Sequence, residues 1–246
     1  MTDLRENETV KASDSEDGVR TRSLAIIPAR GGSKGIPRKN LQQVGGKPLV
    51  GWAIEQAIEC ASISDVLVST EDEEIRLVSE QFGARVMDRP SEFHHDNSIQ
   101  EVDRLLVWTI REYEKIYGPV DVVALLYPTA PLRRVETIDK AVEMVASGRA
   151  DSCLSLYEDT SYLWAVEKAV AKPVNYDPKL RGPRQKEHWN QWVENKAVYA
   201  MTRSLILDTG CRLGGRIGYV EMSKIESIDV DSPQDLELVR VLLEKR

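Results

Sequence analysis

The first apolar run of the chain, Leu24-Ala25-Ile26-Ile27, is short, continuous and closed by Pro28. A strand with one wet face would alternate; an unbroken run of this length predicts a strand covered on both faces, as in a parallel sheet. Before it, residues 1–22 mix both charge signs with Ser, Thr and Asp and carry almost no bulky apolar groups. Such a stretch buries too little surface to offset its ordering entropy, which predicts a disordered tail over 1–22 and an ordered domain over 23–246.

After Leu24 the periodicity switches repeatedly. Pro48 opens a helix running to about Cys60, with Trp52, Ala53 and Ala57 on its inner stripe. A strand from Asp65 to Thr70 leads into Thr70-Glu71-Asp72-Glu73, a capping-box spacing that starts the next helix. Val86-Met87 is a short strand. Ser98-Ile99-Gln100-Glu101 repeats the capping pattern, and Val102, Leu105, Leu106, Thr109, Ile110 and Tyr113 continue with helical period. Val120–Tyr127 is apolar and ended by Pro128-Thr129-Ala130-Pro131; a helix over Glu136–Ser147 and a strand over Ser152–Tyr157 follow. Alternation of this kind predicts an α/β fold with a doubly wound, mostly parallel sheet. Ligands of such sheets bind beyond the carboxyl ends of the strands. The stretch 158–191, rich in Pro, Lys, Arg, Trp and Tyr and weakly periodic, is expected as an excursion from the sheet, a lobe for subunit contact or for covering substrate.

Composition narrows the class. The 246 residues suit one α/β domain with an elaboration, and 41% apolar with 30% charged residues can fill a core. A formal charge of −7 argues against a nucleic-acid partner, which needs a basic surface. Cys60, Cys153 and Cys211 are scattered, which fits a reducing compartment rather than a disulfide framework or a structural zinc site. No run reaches the ~18 apolar residues of a membrane span, and no apolar signal core stands at the start. The expectation is a cytoplasmic protein without a membrane or nucleic-acid partner.

Chemistry concentrates first in Ala29-Arg30-Gly31-Gly32-Ser33-Lys34-Gly35-Ile36-Pro37-Arg38-Lys39-Asn40. Its glycines let the backbone turn tightly and bring N–H groups to a phosphate, while Arg30, Lys34, Arg38 and Lys39 put four cations within ten residues, as a triphosphate needs; Arg38 has the competing role of a solvated charge and is left out of the site. Neither the GxxxxGK[ST] nor the GxGxxG spacing is present.

Here the chain resembles a known family. IIPARGGSKGIPRKN (Ile26 to Asn40) and GGKPLVGWAIEQA (Gly45 to Ala57) are similar to the opening signature of the acylneuraminate cytidylyltransferases, the CMP-sialic acid synthetases. The resemblance continues through VSTEDEEI (Val68 to Ile75), YPTAPLR (Tyr127 to Arg133), ENKAVY (Glu194 to Tyr199) and SIDVDSPQDLEL (Ser227 to Leu238). It implies a Rossmann-like nucleotidyltransferase that transfers CMP from CTP to the anomeric hydroxyl of a sialic-acid-like 2-keto-3-deoxy sugar acid, with Mg²⁺ as cofactor and a homodimeric assembly.

Carried over residue by residue, the resemblance assigns the nucleotide to Arg30, Gly31, Gly32, Lys34, Gly35, Lys39 and Asn40, with Arg30 and Lys34 as the catalytic cations. Ser69 and Asp72 match positions near the base or ribose; Asp72 has the competing role of a first-turn carboxylate favoured by the helix dipole. Tyr127, Arg184, Gln185, Asn195 and Tyr199 match the acceptor-sugar contacts. Tyr127 departs from the family's Gln and Lys196 from its Gly, and Arg212-Leu213 falls where some relatives carry an aromatic pair. Arg133 serves either an anion or local structure. These departures leave open legionaminic, pseudaminic or other acceptors, GTP as the nucleotide, or a nucleotide-binding module without activity.

Asp229 and Asp231 are the expected Mg²⁺ ligands: in a strand Ser227–Asp231, positions two apart share a face, ~7 Å apart along the chain. Asp235 is expected to complete a capping box with Ser232 rather than to act in catalysis. His94, His95 and His188 form no ligand set, the first two being loop residues before a helix.

Overall fold

The computed structural model describes residues 21–33, 35–93, 99–180 and 190–244. The elements, in chain order, are β1 (Ser23–Pro28), β2 (Gln43–Val44), β3 (Lys47–Pro48), α1 (Leu49–Ile58), β4 (Asp65–Thr70), α2 (Glu73–Gln81), β5 (Arg85–Asp88), α3 (Ile99–Tyr117), β6 (Val122–Leu125), α4 (Val135–Ala146), β7 (Ser152–Glu158), β8 (Trp164–Glu167), β9 (Val170–Pro173), β10 (Trp192–Thr202), α5 (Arg203–Thr209), β11 (Ile217–Glu221) and α6 (Pro233–Glu244).

Among the described residues the main sheet has seven strands in the order β11-β7-β10-β6-β1-β4-β5. β1 runs parallel to both β4 and β6, and β4 to β5. The continuous apolar run of β1 has the physical cause anticipated for it. Ala25 and Ile27 face α1, α2 and α4 through Ala53, Ile54, Ile75 and Ile138. Leu24 and Ile26 face α3 and α5 through Leu106, Ile110 and Ile206. Both faces are therefore dry, and all four residues are fully buried. The chain leaves β1 toward β4 on one side and β6 on the other, so the loop after β1 sits at the sheet's switch point, where crevices open.

One strand breaks the parallel pattern. β10 inserts antiparallel between β6 and β7. Its pairing with β7 shifts between Glu194 and Tyr199, where Glu194 opposes Leu156 but Tyr199 opposes Leu154. Buried polar groups satisfy the bulged backbone: Val198 N–H donates to Ser155 Oγ at 2.9 Å, and Ala197 N–H to Asn195 Oδ1 at 3.1 Å. The sequence signals did not separate this bulged strand from its surroundings.

Several expectations need correction. Ser227–Asp231 joins no ladder; its backbone is tied by Val230 N–H to Thr129 O at 2.8 Å, and it is a loop. The strand expected over Val120–Tyr127 is confined to β6. The capping box at Thr70–Glu73 is replaced by Asp72 as N-cap of α2, accepting from the N–H groups of Glu74 and Ile75 at 3.1 and 3.0 Å. Thr70 Oγ1 instead accepts from Asp72 N–H. The box at Ser232–Asp235 is present as expected: Ser232 N–H donates to Asp235 Oδ2 at 2.7 Å and Asp235 N–H to Ser232 Oγ at 3.2 Å.

Order begins by Arg22, inside the expected tail: its N–H donates to Asp121 Oδ2 at 2.8 Å and its guanidinium to Tyr113 Oη at 3.0 Å. Residues 1–20, Ser98 and the histidines His94, His95 and His188 lie outside the described residues. Within 158–191, the β8–β9 hairpin forms a two-stranded sheet of its own, apart from the main sheet.

A third apolar cluster positions the site. Val230 is fully buried with Ile36 from the loop after β1, Leu132, and Leu236, Val239 and Leu243 of α6. Burying Val230 turns its neighbours Asp229 and Asp231 to the other side, as a strand's alternation would. Ladder pairing is not required for this.

Candidate active site

A cleft of about 390 Å³ opens where the loop after β1 meets the ends of β5 and β6, the bulge of β10 and the Asp229–Asp231 loop. Arg30, Gly32, Ser33, Lys39 and Asn40 line one wall, and Tyr127, Thr129, Lys196, Tyr199, Arg212, Asp229 and Asp231 line the other. A second depression of about 570 Å³ lies around Arg22, Ser23 and Ser62–Ser64. That one stands at the amino ends of β1 and β4, the edge at which parallel sheets do not bind ligands.

The loop is braced from both sides. Asn40 Nδ2 donates to Arg30 O at 2.9 Å, fixing the turn that presents Arg30. Gly35 lies against the Asp231 backbone; a Cβ there would sit 2.8 Å from Asp231 O. Lys39 Nζ donates to Asp231 Oδ1 and Val230 O, each at 3.1 Å. Gly31 N–H is taken by Glu71 Oε1 at 2.7 Å, and Asp72 fills the space its Cβ would occupy. Gly31 is thus needed for close packing on the β4–α2 turn, while Gly32 meets open space. Lys34 lies outside the described residues.

Asp72 and Ser69 stand behind this wall rather than in the cleft. Asp72 caps α2 and pairs with Arg38, which hold its carboxyl below the usual carboxylate range against the opposing effect of partial burial. Of the two roles expected for Asp72 the structure shows the one at the helix end, not the one at the base or ribose: both oxygens are committed to that end and to Arg38. Ser69 is fully buried beside Pro28 in the sheet and is absent from the cleft lining.

On the opposite wall, Asn195 is also corrected. Its amide is consumed in the core, accepting from Ser155 Oγ at 2.6 Å and donating to Ser227 Oγ at 2.7 Å, so it shapes the bulge instead of touching a ligand. Tyr199 does line the cleft. Its hydroxyl donates to Glu194, and burial pushes its pKa up. Arg184 and Gln185 lie outside the described residues.

Tyr127 lines the cleft in an arrangement of its own. Arg212 donates through Nη1 to Tyr127 Oη at 2.9 Å and through Nε to Asp103 Oδ1 at 2.5 Å, with its guanidinium 5.0 Å from the centre of the Tyr199 ring. The Arg212 and Asp103 side chains are 4% and 5% exposed. Burial raises the Asp103 pKa, and the adjacent guanidinium pulls it the other way.

Arg133 is structural. It is fully buried, donating to Gln56 Oε1 at 3.0 Å, to Ala197 O at 2.6 Å and to Tyr127 O at 3.3 Å. It thereby ties the 127–133 loop to the β10 bulge. Burial alone lowers its pKa to about 9.

Arg89 was not singled out in the sequence. It follows β5, its N–H donates to Thr70 O at 3.0 Å, and its buried side chain reaches the cleft. Burial lowers its pKa, Glu71 opposes that, and Arg30 lowers it again. A cation directly after a parallel strand was the signal available for it.

Asp229 and Asp231 reach the cleft together. Asp229 is held above the ordinary carboxylate value by burial and by Asp231, against interactions with Thr129 and Lys196. Its Oδ1 is buried with no hydrogen-bond partner, and Oδ2 lies 3.4 Å from Lys196 Nζ. A buried, unsatisfied carboxylate oxygen beside a second carboxylate suits a hard divalent cation that draws further oxygens from phosphate and water. Among the described residues no group of three or more His, Cys, Asp and Glu side chains is placed to hold a metal, so the remaining donors would have to come from ligand and solvent.

Residues 24–204 match the family model described as Cytidylyltransferase. The chain belongs to the cytidylyltransferase family. Within that breadth it is 36% identical over 211 residues to N-acylneuraminate cytidylyltransferase A of Danio rerio, covering 84% of this chain and 47% of that protein. It is 31% identical over 240 residues to the CMP-N,N'-diacetyllegionaminic acid synthase of Legionella pneumophila, covering 91% and 97%. The chain spans about half the length of the fish N-acylneuraminate cytidylyltransferases it matches. In three dimensions it is similar to a CMP:2-keto-3-deoxy-manno-octonic acid synthetase solved with CTP, with TM-score 0.67 and 19% identity over 92% of this chain and 99% of the other. A 4-diphosphocytidyl-2C-methyl-D-erythritol synthase gives the same TM-score at 15% identity, over 91% and 99%. The cytidylyltransferase fold of this family member is the doubly wound sheet expected from its alternating pattern.

Proposed function

We propose that the chain transfers CMP from CTP to the anomeric hydroxyl of a sialic-acid-like 2-keto-3-deoxy sugar acid, releasing pyrophosphate. The observation that carries this reading is the convergence of Arg30, Arg89 and Lys39 with Asp229 and Asp231 on one cleft at the sheet's switch point. Names of the relatives support a nonulosonic acid acceptor and a cytidine nucleotide.

In this reading the triphosphate lies along the loop after β1. Arg30, Lys39 and Arg89, with Lys34 from the same loop, bind it and balance the charge that moves onto the departing pyrophosphate. The acceptor lies toward β10, where Tyr199, Tyr127 and Arg212 position it, with Arg184 and Gln185 contributing from the preceding segment. Orientation of the acceptor hydroxyl toward the α-phosphorus supplies the other large part of the acceleration. Asp229 and Asp231 are the residues that would hold Mg²⁺, whose chemistry is to orient phosphate oxygens and stabilise their charge.

Two further features belong to the proposal. The β8–β9 hairpin exposes Trp164, Val166 and Val170, which supports a homodimer contact through this lobe. Among the described residues no helix is long and apolar enough to cross a membrane, in keeping with a cytoplasmic enzyme.

The test is pyrophosphate release with each of the four nucleoside triphosphates against a panel of N-acetylneuraminate, legionaminate, pseudaminate and shorter keto-acids. CTP with at least one nonulosonic acid should give sustained turnover dependent on a divalent cation. Turnover with GTP alone, or with none of the acids, overturns the assignment.

A further inference from the structure

Lys196 is held in an unfavourable conformation. Its φ is +59°, in the left-handed region that side chains rarely adopt, at the heart of the β10 bulge. Buried side chains fix the adjoining backbone: Asn195 Oδ1 accepts from Ala197 N–H, and Arg133 donates to Ala197 O. Strained non-glycine positions persist where the surroundings over-determine them, and they cluster at functional sites. What the strain achieves here is visible in the side chain. It lines the cleft and places Nζ 3.4 Å from Asp229 Oδ2.

The second carboxylate has a matching partner. Lys39 Nζ lies 3.1 Å from Asp231 Oδ1 and is further held by Val230 O. Each acid of the pair thus carries its own ammonium, one from the loop after β1 and one from the bulge. In the nucleotide-free protein the two negative charges that would attract a divalent cation are already balanced.

We propose that Lys196, together with Lys39, is a displaceable counter-cation on the carboxylate pair, so that a divalent cation loads with the nucleotide's polyphosphate and not onto the free protein. The inference rests on the reading of Asp229 and Asp231 as metal ligands. A polyphosphate supplies what the exchange needs: anionic oxygens that take over both ammoniums while adding ligands to the metal. Lys196 acts on the metal through Asp229 and is a positioning residue in this scheme.

Calorimetric titration of Mn²⁺ into nucleotide-free protein tests it, comparing the native chain with Lys196→Gly and Lys196→Arg. Glycine accepts the left-handed backbone without strain, so this variant is expected to fold, and a thermal melt verifies it. Removing a half-exposed ammonium from its carboxylate should tighten Mn²⁺ binding by about three- to fivefold, while Lys196→Arg stays near the native value. With a non-hydrolysable CTP analogue bound first, the native chain and Lys196→Gly should converge to within about twofold, because the polyphosphate has by then relieved the lock. Equal Mn²⁺ affinity of the native chain and Lys196→Gly without nucleotide overturns the lock and leaves the metal site standing. If neither protein binds Mn²⁺ even with the analogue, the reading of the carboxylates as metal ligands fails and the lock falls with it.

Discussion

Replacing Arg212 by Met removes the cation from a pair whose two side chains are 4% and 5% exposed, and it takes away the hydrogen bonds at 2.5 Å to Asp103 and 2.9 Å to Tyr127. Methionine refills much of the volume, so the dominant cost is an Asp103 carboxylate left buried without its counter-charge. Breaking one side of a buried pair costs about 3–5 kcal/mol, which for a domain of this size lowers Tm by roughly 10 °C. The pH dependence follows from the sign of the Asp103 shift. Burial raises its folded pKa above the ordinary value of 3.8, and losing Arg212 raises it further. The folded state then binds the proton more readily than the unfolded chain, so the carboxylate part of the deficit is absent at low pH, where Asp103 is protonated in both proteins, and grows as pH rises above the native Asp103's own raised value. The double variant Arg212→Met, Asp103→Asn leaves no charge at this pair and should recover to within about 1–2 kcal/mol of the native chain. Urea unfolding at pH 7 and at pH 4 measures all three proteins. A loss below about 1 kcal/mol for Arg212→Met, or no recovery in the double variant, would refute the claim that the pair is desolvated and mutually dependent.

Other expectations concern the cleft directly. Lys196→Gly relieves a left-handed backbone and should raise stability by about 1 kcal/mol, read as a rise in urea midpoint; a fall would mean the ion pair outweighs the strain. Gly35→Ala drives a methyl group against the backbone carbonyl of Asp231, 2.8 Å away, and should cost about 1–3 kcal/mol of stability while weakening nucleotide binding by fluorescence titration. Arg89→Met should raise the KM for CTP by about 10- to 100-fold, the worth of a charged hydrogen bond, with the acceptor KM nearly unchanged. Asp231→Asn should lower kcat by at least about 10²-fold at saturating substrates, and a full rate would refute its proposed role as a Mg²⁺ ligand.

The alternating periods of Leu24–Tyr157 carried enough information to place the strands and helices of the doubly wound half, because burial on two faces leaves an unmistakable mark on β1, β4 and β6. The antiparallel β10 was hidden for a physical reason. Its bulge places Asn195 and Lys196 among apolar residues, and Asn195 is satisfied by Ser155 and Ser227, partners distant in sequence. The same long-range pairing explains the misplaced site residues. For Asp72 the resemblance left a ligand role and a helix-end role open, and the partner that decides between them, Arg38, stands 34 positions away. Asp229 and Asp231 were located by spacing although the segment is not a strand, since a buried Val230 between them enforces the same alternation. Arg89 and Arg212 draw their importance from burial, which spacing does not report.

Where the sheet lets go of the chain after β7, it takes it back one strand over. Glu158 is paired with Trp192, and Asp159 N–H donates to Gln191 O at 3.0 Å. Everything from 160 to 190 is thus an insert whose two ends are already clasped. Closing such a loop costs little more entropy when it is long than when it is short. Segments of different length or character could be spliced between those two residues without disturbing the ladder. Since β10 runs opposite to its neighbours, the insert leaves and returns at the same edge of the sheet, so each splice would rewrite that edge while the ladder stays as it was.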